Sequence, residues 1–199
     1  DPENPSLLLS ACSGFTQYSY AFVELEAERL KFDDYRRAAE QRRRSTDLYL
    51  RGRDYCFRAL DTIEPGTSKK LPLDPETALE PFGREHMDLV YWTGASWGSA
   101  ISSGRDRLEI VVDLPAVRTI FEHLLALDED YGEGALHEAM ISLEAVPETM
   151  GGSTERARDH YERAVELSDD TRVGSHLAWA WMVTIAQQDR AGFEEALKK

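Results

Sequence analysis

The chain has 199 residues, 42% of them hydrophobic, and a formal net charge of −14. That is enough apolar material for one sizeable core, and the charge opposes nucleic acid and anionic lipid, whose phosphates need clustered lysine and arginine. With only Cys12 and Cys56, a disulfide-rich scaffold and a four-thiolate zinc site are excluded, and no apolar run is long enough to cross a bilayer.

Pro5 and Ser6 offer a helix start, after which Leu8, Cys12, Phe15, Tyr18, Phe22 and Leu25 recur at steps of three and four and define one apolar stripe. Asp33 or Asp34 is placed to cap a second helix that runs to about Leu60, with Tyr35, Ala38, Leu48, Tyr55, Cys56 and Ala59 inward. Both are longer than a usual repeat helix, so their excess length projects past the stacking face, where it can meet a partner or line an opening. The second helix carries Arg36, Arg37, Arg42, Arg43, Arg44, Arg51, Arg53 and Arg58. Glu40, Asp47 and Asp54 interleave with them, which favours a solvated face of paired charges over a phosphate site. Both cysteines fall in this hairpin. A bridge between them is within geometric reach, and a small buried apolar residue at each position is the preferred reading. Leu9-Ser10-Ala11-Cys12 resembles a lipoprotein cleavage box, but no basic segment precedes it and the helical pattern runs on through Phe15. Beginning at Asp1, with Asp1-Pro2-Glu3-Asn4 shaped like a turn that closes a repeat, the chain reads as a fragment whose export signal would lie upstream.

Ile63 to Leu73 reads as a loop, and Asp74, Pro75 and Glu76 fit the cap, first position and first-turn acid of a short helix to Phe82, stopped by Gly83. A richer helix is predicted from Arg84 to Ser103, broken at Gly104. Within it Gly94-Ala95-Ser96-Trp97-Gly98 spells the nucleophile elbow of a serine hydrolase. That reading needs strands at Leu89 to Thr93 and Leu108 to Val112, and a triad completed by Asp113 or Asp128 with His137, His160 or His176. The competing reading makes Gly94, Ala95 and Gly98 a small-residue face that admits a second helix closely, with Trp92 and Trp97 beside it, and a five-residue pattern is too weak to displace it. Asp106 to Val112 is ambiguous between strand and helix. Asp113 and Pro115 then start a helix through Leu127, with Val117, Ile120, Phe121, Leu124 and Leu125 inward. Tyr131 to Val146 and Ser153 to Ser168 form a hairpin, the first helix ended by Pro147. Asp169 or Asp170 is expected to cap a helix from Arg172 to Gln188 that carries Leu177, Trp179, Trp181, Met182 and Ile185, and Asp189 caps the last one.

In the hairpin's second helix, Gly152, Ala157, Tyr161 and Ala164 stand at the offsets of the second helix of a tetratricopeptide repeat (TPR). Small residues there let a partner helix approach, and the tyrosine fills the space between helices. Related spacings return at Gly52, Cys56, Ala59 and Leu60, at Val117, Phe121, Leu124 and Leu125, and at Phe193, Ala196 and Leu197. The predicted fold class is therefore all-α: a single domain over residues 1–199, built as a TPR-like array of stacked antiparallel helical hairpins, an α-solenoid, with hairpins at about 5–60, 75–127, 131–168 and 171–199. No metal or cofactor is expected. His86, His123, His137, His160 and His176 are scattered, Asp128-Glu129-Asp130 lacks the spacing and glycine of a calcium loop, and Gly151-Gly152 is not followed by the Lys-Ser or Lys-Thr of a phosphate loop.

Several segments together resemble the T component of tripartite ATP-independent periplasmic (TRAP) transporters: Asp1-Pro2-Glu3-Asn4 leading into Ser6 to Glu24, Tyr49 to Leu60, Tyr91-Trp92-Thr93-Gly94-Ala95-Ser96-Trp97-Gly98, Asp113-Leu114-Pro115, Leu127-Asp128-Glu129, and Gly151 to Ser168. The likeness covers nearly the whole chain, and the Tyr91 to Gly98 string is its more specific part. The chain departs from the family in showing no export signal or lipid-attachment cysteine at its start. The resemblance implies a TPR-like periplasmic protein, often a lipoprotein, here anchored through a cysteine upstream of the fragment. It implies that the chain is not an enzyme, that it forms a homotrimer with an opening through each protomer, and that it docks the solute-binding (P) component and passes a small, partly apolar organic acid. The many large aromatics with a polar handle suit an interface or a lined cavity. Tyr18, Phe22, Arg51, Tyr55, Trp92, Ser96, Trp97, His137 and Trp181 are the candidate lining residues. A generic TPR peptide-docking scaffold is the alternative, and the serine hydrolase a distant one.

Overall fold

The computed structural model describes residues 2–199, so Asp1 of the predicted opening turn lies outside the described residues. Among the described residues there are helices and no strand, in agreement with the all-α class. The chain divides into two compact units, Asp1–His123 and Leu124–Lys199.

The first unit opens at Asn4, whose side chain accepts the Leu7 N–H at 3.1 Å and so caps the first turn. One helical run follows: α1 (Pro5–Tyr18), a π-helical turn (Ser19–Glu24) and α2 (Leu25–Leu30). Helix α3 (Tyr35–Ile63), capped by Asp34, returns antiparallel along it. The predicted apolar stripe is displaced. Leu25 donates its N–H to the Tyr20 carbonyl, five residues back, and the displacement begins before that turn, where Thr16 rather than Phe15 is buried. Thr16, Ser19, Val23, Ala27 and Leu30 are buried, while Tyr18, Phe22 and Leu25, expected inward, face solvent. Tyr35, also expected inward, is 78% exposed because it starts α3 at the hairpin tip, where Phe32 is exposed as well.

A Cys12–Cys56 disulfide closes this hairpin, which corrects the expectation of two separate small thiols. Gly52 supplies the close approach that the bridge needs. A Cβ there would lie 3.0 Å from Thr16 Oγ1 and 3.1 Å from the Cys12 carbonyl. Ser19 Oγ donates to the Ser45 carbonyl at 2.9 Å, and the Ser45 and Ser103 hydroxyls share a hydrogen bond of 2.6 Å. The Tyr49 hydroxyl donates to Glu24, so this polar seam is satisfied internally.

Short helices α4 (Thr67–Lys70) and α5 (Pro75–Leu79) lead to α6 (Met87–Ser103), which packs along α3. α7 (Leu108–Val111) is a single turn, and α8 (Leu114–Leu127) follows it. A Cβ on Gly94 would meet Ile120 at 2.8 Å and Phe121 at 2.9 Å, and one on Gly98 would meet Val117 at 3.3 Å. The glycines are thus the predicted face for close helix approach, and the partner is α8. The same facts remove the nucleophile elbow. Leu89 to Thr93 lies inside α6, Leu108 to Val111 is helical, and Ser96 sits at mid-helix with 0% exposure, donating to the Thr93 carbonyl at 3.1 Å. An elbow holds its serine exposed on a strained strand-to-helix turn, and Ser96 has neither the turn nor the exposure.

The second unit contains α9 (Ala135–Glu144), α10 (Thr154–Leu167), α11 (Val173–Ala178) running into a π turn (Trp179–Thr184), and α12 (Arg190–Ala196). Ser153 and Asp189 cap α10 and α12. Ala157 and Ala164 are fully buried. Gly134, at φ 90°, comes so near that a Cβ would lie 2.8 Å from the Ala164 carbonyl oxygen. Tyr161 stacks on Trp179 with ring centroids 5.1 Å apart. Asp169 and Asp170 do not cap the next helix. Both have left-handed backbone, Arg172 takes the cap position, and Asp170 accepts a hydrogen bond from His176 instead. Across the π turn Trp181 and Ile185 are exposed, while Trp179, Ala180, Val183 and Thr184 are buried.

Candidate functional site

In the first unit the exposed side of α3 carries two shallow hollows that share Arg51. The larger, about 370 Å³, is lined by Glu40, Arg43, Arg44, Asp47, Leu48 and Arg51. The smaller, about 160 Å³, is lined by Arg51, Asp54, Tyr55 and Arg58. A column of stacked groups organises them. The Arg51 guanidinium lies 5.7 Å from the centre of the Phe15 ring, Phe15 stacks on Tyr55 at 5.6 Å, and Arg58 lies 5.6 Å from the Tyr55 ring. The disulfide holds α1 to α3 within one turn of this column, since Cys56 follows Tyr55 in sequence.

The carboxylates expected to neutralise these arginines are engaged elsewhere. Glu40 faces Arg36 at 3.5 Å, Asp54 pairs with Arg53 at 2.8 Å, and Asp47 pairs at 2.8 Å with Arg107. Among the described residues, Arg43, Arg44 and Arg51 have no carboxylate within 4.0 Å. Only part of the expected pairing on α3 is therefore present, and its cationic hollow is open to an anionic group from outside.

The sequence candidates separate into groups. Arg51 and Tyr55 meet in the groove. Tyr18 and Phe22 stack on each other at 5.3 Å, 45% and 68% exposed, on the outer side of the helix. Trp92 is half-buried, with its carbonyl oxygen 3.7 Å from Cys12 Sγ. Ser96 and Trp97 belong to the core. Trp97 is fully buried, edge-on to Phe57 at 5.1 Å, with the Arg53 guanidinium 5.7 Å from its ring.

His137 and Trp181 lie in the second unit. Trp181 is 46% exposed. His137 is buried in a hydrogen-bonded set. Its Nε2 donates to Glu129 at 3.1 Å, which leaves Nδ1 to accept from His160 Nδ1 at 2.7 Å. Arg163 binds Glu129 through two parallel bonds of 2.8 and 2.9 Å. Those bonds, more than the one from His137, hold the Glu129 carboxyl at about 2. Burial pushes His137 below its ordinary value, and burial with the neighbouring His137 does the same for His160. Nearby, the Tyr161 hydroxyl donates to His176 Nδ1 at 2.9 Å and His176 Nε2 donates to Asp170 at 2.8 Å. Both ring nitrogens of His137 and of His176, together with Nδ1 of His160, thus have partners inside the unit, so these histidines tie helices together. Among the described residues no group of three or more His, Cys, Asp or Glu is placed to hold a metal ion.

Sequence reasoning missed Phe15, Arg44 and Arg58 as groove residues, and the Glu129, His160 and Arg163 contacts of His137. The arginines were visible as a run but their side of the helix was not weighed. No signal in the residue pattern marked the histidine pair.

The chain is a close-packed helical protein, with an open groove of arginines and aromatics in the first unit and internally paired histidines in the second. The model of the TRAP transporter T-component family matches residues 1–199, the whole chain. The chain belongs to that family. It is also 26% identical over 204 residues to an uncharacterized protein of Treponema pallidum (strain Nichols), covering 100% of this chain and 63% of that protein. The chain thus spans less than two thirds of the length of the curated relative it matches.

Proposed function

We propose that the chain is a non-enzymatic, periplasmic TRAP-associated scaffold that docks the solute-binding component of its transporter and handles a small, partly apolar organic acid. The observation that carries this reading is the whole-chain match to the T-component family. Three features support it. Cys12 and Cys56 are joined in a disulfide, which persists in oxidising compartments such as the periplasm and is rare in the cytosol. Tyr18, Tyr20 and Phe22 are exposed at or beside the first π turn and Trp181 at the second, a helical irregularity common at functional positions. Arg43, Arg44 and Arg51 of α3 face outward with no carboxylate within 4.0 Å among the described residues, ready for an anionic group. Homo-oligomer formation and a lipid anchor belong to the same reading and rest on family resemblance. A generic TPR peptide-docking module working in the cytosol is the second reading, and the disulfide disfavours it. Affinity capture with the chain as bait, from envelope extracts of the native organism, is expected to recover a TRAP solute-binding protein. Recovery of cytosolic proteins alone would overturn the proposal.

A further inference from the structure

One face of α3 carries a period that the core of the first unit does not use. Arg37, Arg44, Arg51 and Arg58 recur at every seventh residue, all four are exposed, and each is followed four residues later by Gln41, Leu48, Tyr55 or Thr62. Seven residues are close to two helical turns, so the guanidinium groups repeat at about 10.5 Å along the axis, with the slow drift of a straight helix against a strict seven-residue period. The outer two arginines have intramolecular carboxylates: Arg37 has Glu26 at 4.0 Å and Arg58 has Glu3 at 2.8 Å. The central two, Arg44 and Arg51, have none within 4.0 Å among the described residues, and Leu48 and Tyr55 stand half-buried between and beside them. In a chain of net charge −14, this is a row of arginines with apolar steps, and Glu40, Asp47 and Asp54, which line the same hollows, pair with Arg36, Arg107 and Arg53.

We propose that this face of α3 is the docking seam for an acidic amphipathic helix of a partner protein. Carboxylates of that helix, repeating every seventh residue, pair with Arg44 and Arg51, and its apolar residues pack on Leu48 and Tyr55. The proposal rests on the docking reading above and names its surface. A second helix matches the period of the seam, because two helices in contact keep apolar residues and flanking charges in register over seven-residue repeats. A single small anion would engage one guanidinium fork and leave the other about 10 Å away. A nucleic acid strand presents its phosphates more densely than the arginines are spaced, and the net charge of the chain repels it. The seam is also set in place before a partner arrives. Arg51 rests over Phe15, Phe15 stacks on Tyr55, and the Cys12–Cys56 bridge fixes the two helices that carry them, so less conformational freedom is lost on binding.

The test uses the intact, oxidised chain and a labelled helical peptide of four heptads, with glutamate and leucine alternating at four- and three-residue steps along one face, read by fluorescence anisotropy. The expected result is binding at least tenfold tighter than that of a peptide of identical composition with the period scrambled. An Arg44→Glu/Arg51→Glu variant, checked by circular dichroism for native helicity, loses at least tenfold. An Arg190→Glu/Lys198→Glu variant, with the same change of charge placed off α3, binds like the wild type. Equal binding of the scrambled peptide, no loss in the Arg44→Glu/Arg51→Glu variant, no binding at all, or displacement by succinate or inorganic phosphate at the peptide's own concentration would overturn the seam. If the seam fails while the chain still binds its solute-binding component, the functional proposal stands. If that component also fails to bind, both fall.

Discussion

The two units of the chain hold themselves together by different means. In the first, α1 and α3 are joined covalently, and α6 approaches α8 over Gly94 and Gly98. In the second no disulfide contributes. Rings and titratable groups do the joining, through the His137–His160 contact, the Glu129–Arg163 fork and the Tyr161 link to Trp179 and His176. The difference shows which unit can present charge. The first is stapled by a disulfide and close helix contacts beside its polar seam, and Arg43, Arg44 and Arg51 have no carboxylate within 4.0 Å among the described residues. The second spends its polar groups on its own cohesion.

The disulfide is where the two units are expected to differ most. Removing it with Cys12→Ser/Cys56→Ser frees a loop with a sequence separation of 44, and loop-closure entropy puts the cost at about 4 kcal/mol. Peptide-resolved hydrogen exchange is expected to show the loss of protection concentrated in residues of the first unit; a larger loss in the second would contradict the division. Gly94→Val comes next. Its side chain would run into Ile120 and Phe121, and overpacking of this kind costs roughly 2 kcal/mol in chemical denaturation. Gly98→Ala, with only Val117 at 3.3 Å, gains helix propensity and is expected to stay within about 0.5 kcal/mol of wild type. In the second unit, Tyr161→Phe keeps the stack on Trp179 but leaves the buried His176 Nδ1 without its donor. That change is expected to cost about 1 kcal/mol.

Acidification should separate the units by sign. His137 and His160 are held below their ordinary value by burial, so the unfolded chain binds more protons than the folded unit between those depressed values and about 6.5. Stability of the second unit therefore falls as pH drops through that window. Glu24 and Asp113 in the first unit are pushed up by burial. Just above the ordinary carboxylate range the folded state binds more protons, and their contribution to stability rises as pH falls. Hydrogen exchange from pH 7 to pH 5 is expected to show protection weakening first in the second unit. His137→Gln/His160→Gln should flatten that loss.

The helical class, the capping residues Asp34, Asp74, Ser153 and Asp189 and the close approach over Gly94 and Gly98 were legible in the residue pattern, because caps and small-residue spacing act locally. The π turns were not. Nothing in Ser19 to Glu24 or Trp179 to Thr184 marks an i to i+5 bond. Tyr18, Phe22 and Leu25 lie at the surface because the buried face runs through Thr16, Ser19, Val23 and Ala27, small residues that an apolar stripe of large side chains hides. The disulfide was read as two thiols because burial and bridging favour the same neighbours. Of the candidate lining residues, Arg51 and Tyr55 meet in a groove, whereas Ser96 and Trp97 lie in the core. Their exposure depends on which helices pack against α6, and that is a long-range property which spacing within one helix does not contain.

Docking of a TRAP solute-binding component through the first unit is the claim on which the rest depends, and isothermal titration of the purified, oxidised chain with that component tests it most directly. Saturable one-to-one binding per protomer is predicted, weakening with added salt and dropping at least tenfold in the Arg44→Glu/Arg51→Glu variant. A solute-binding component that gives no heat and no co-elution with the wild-type chain would contradict it.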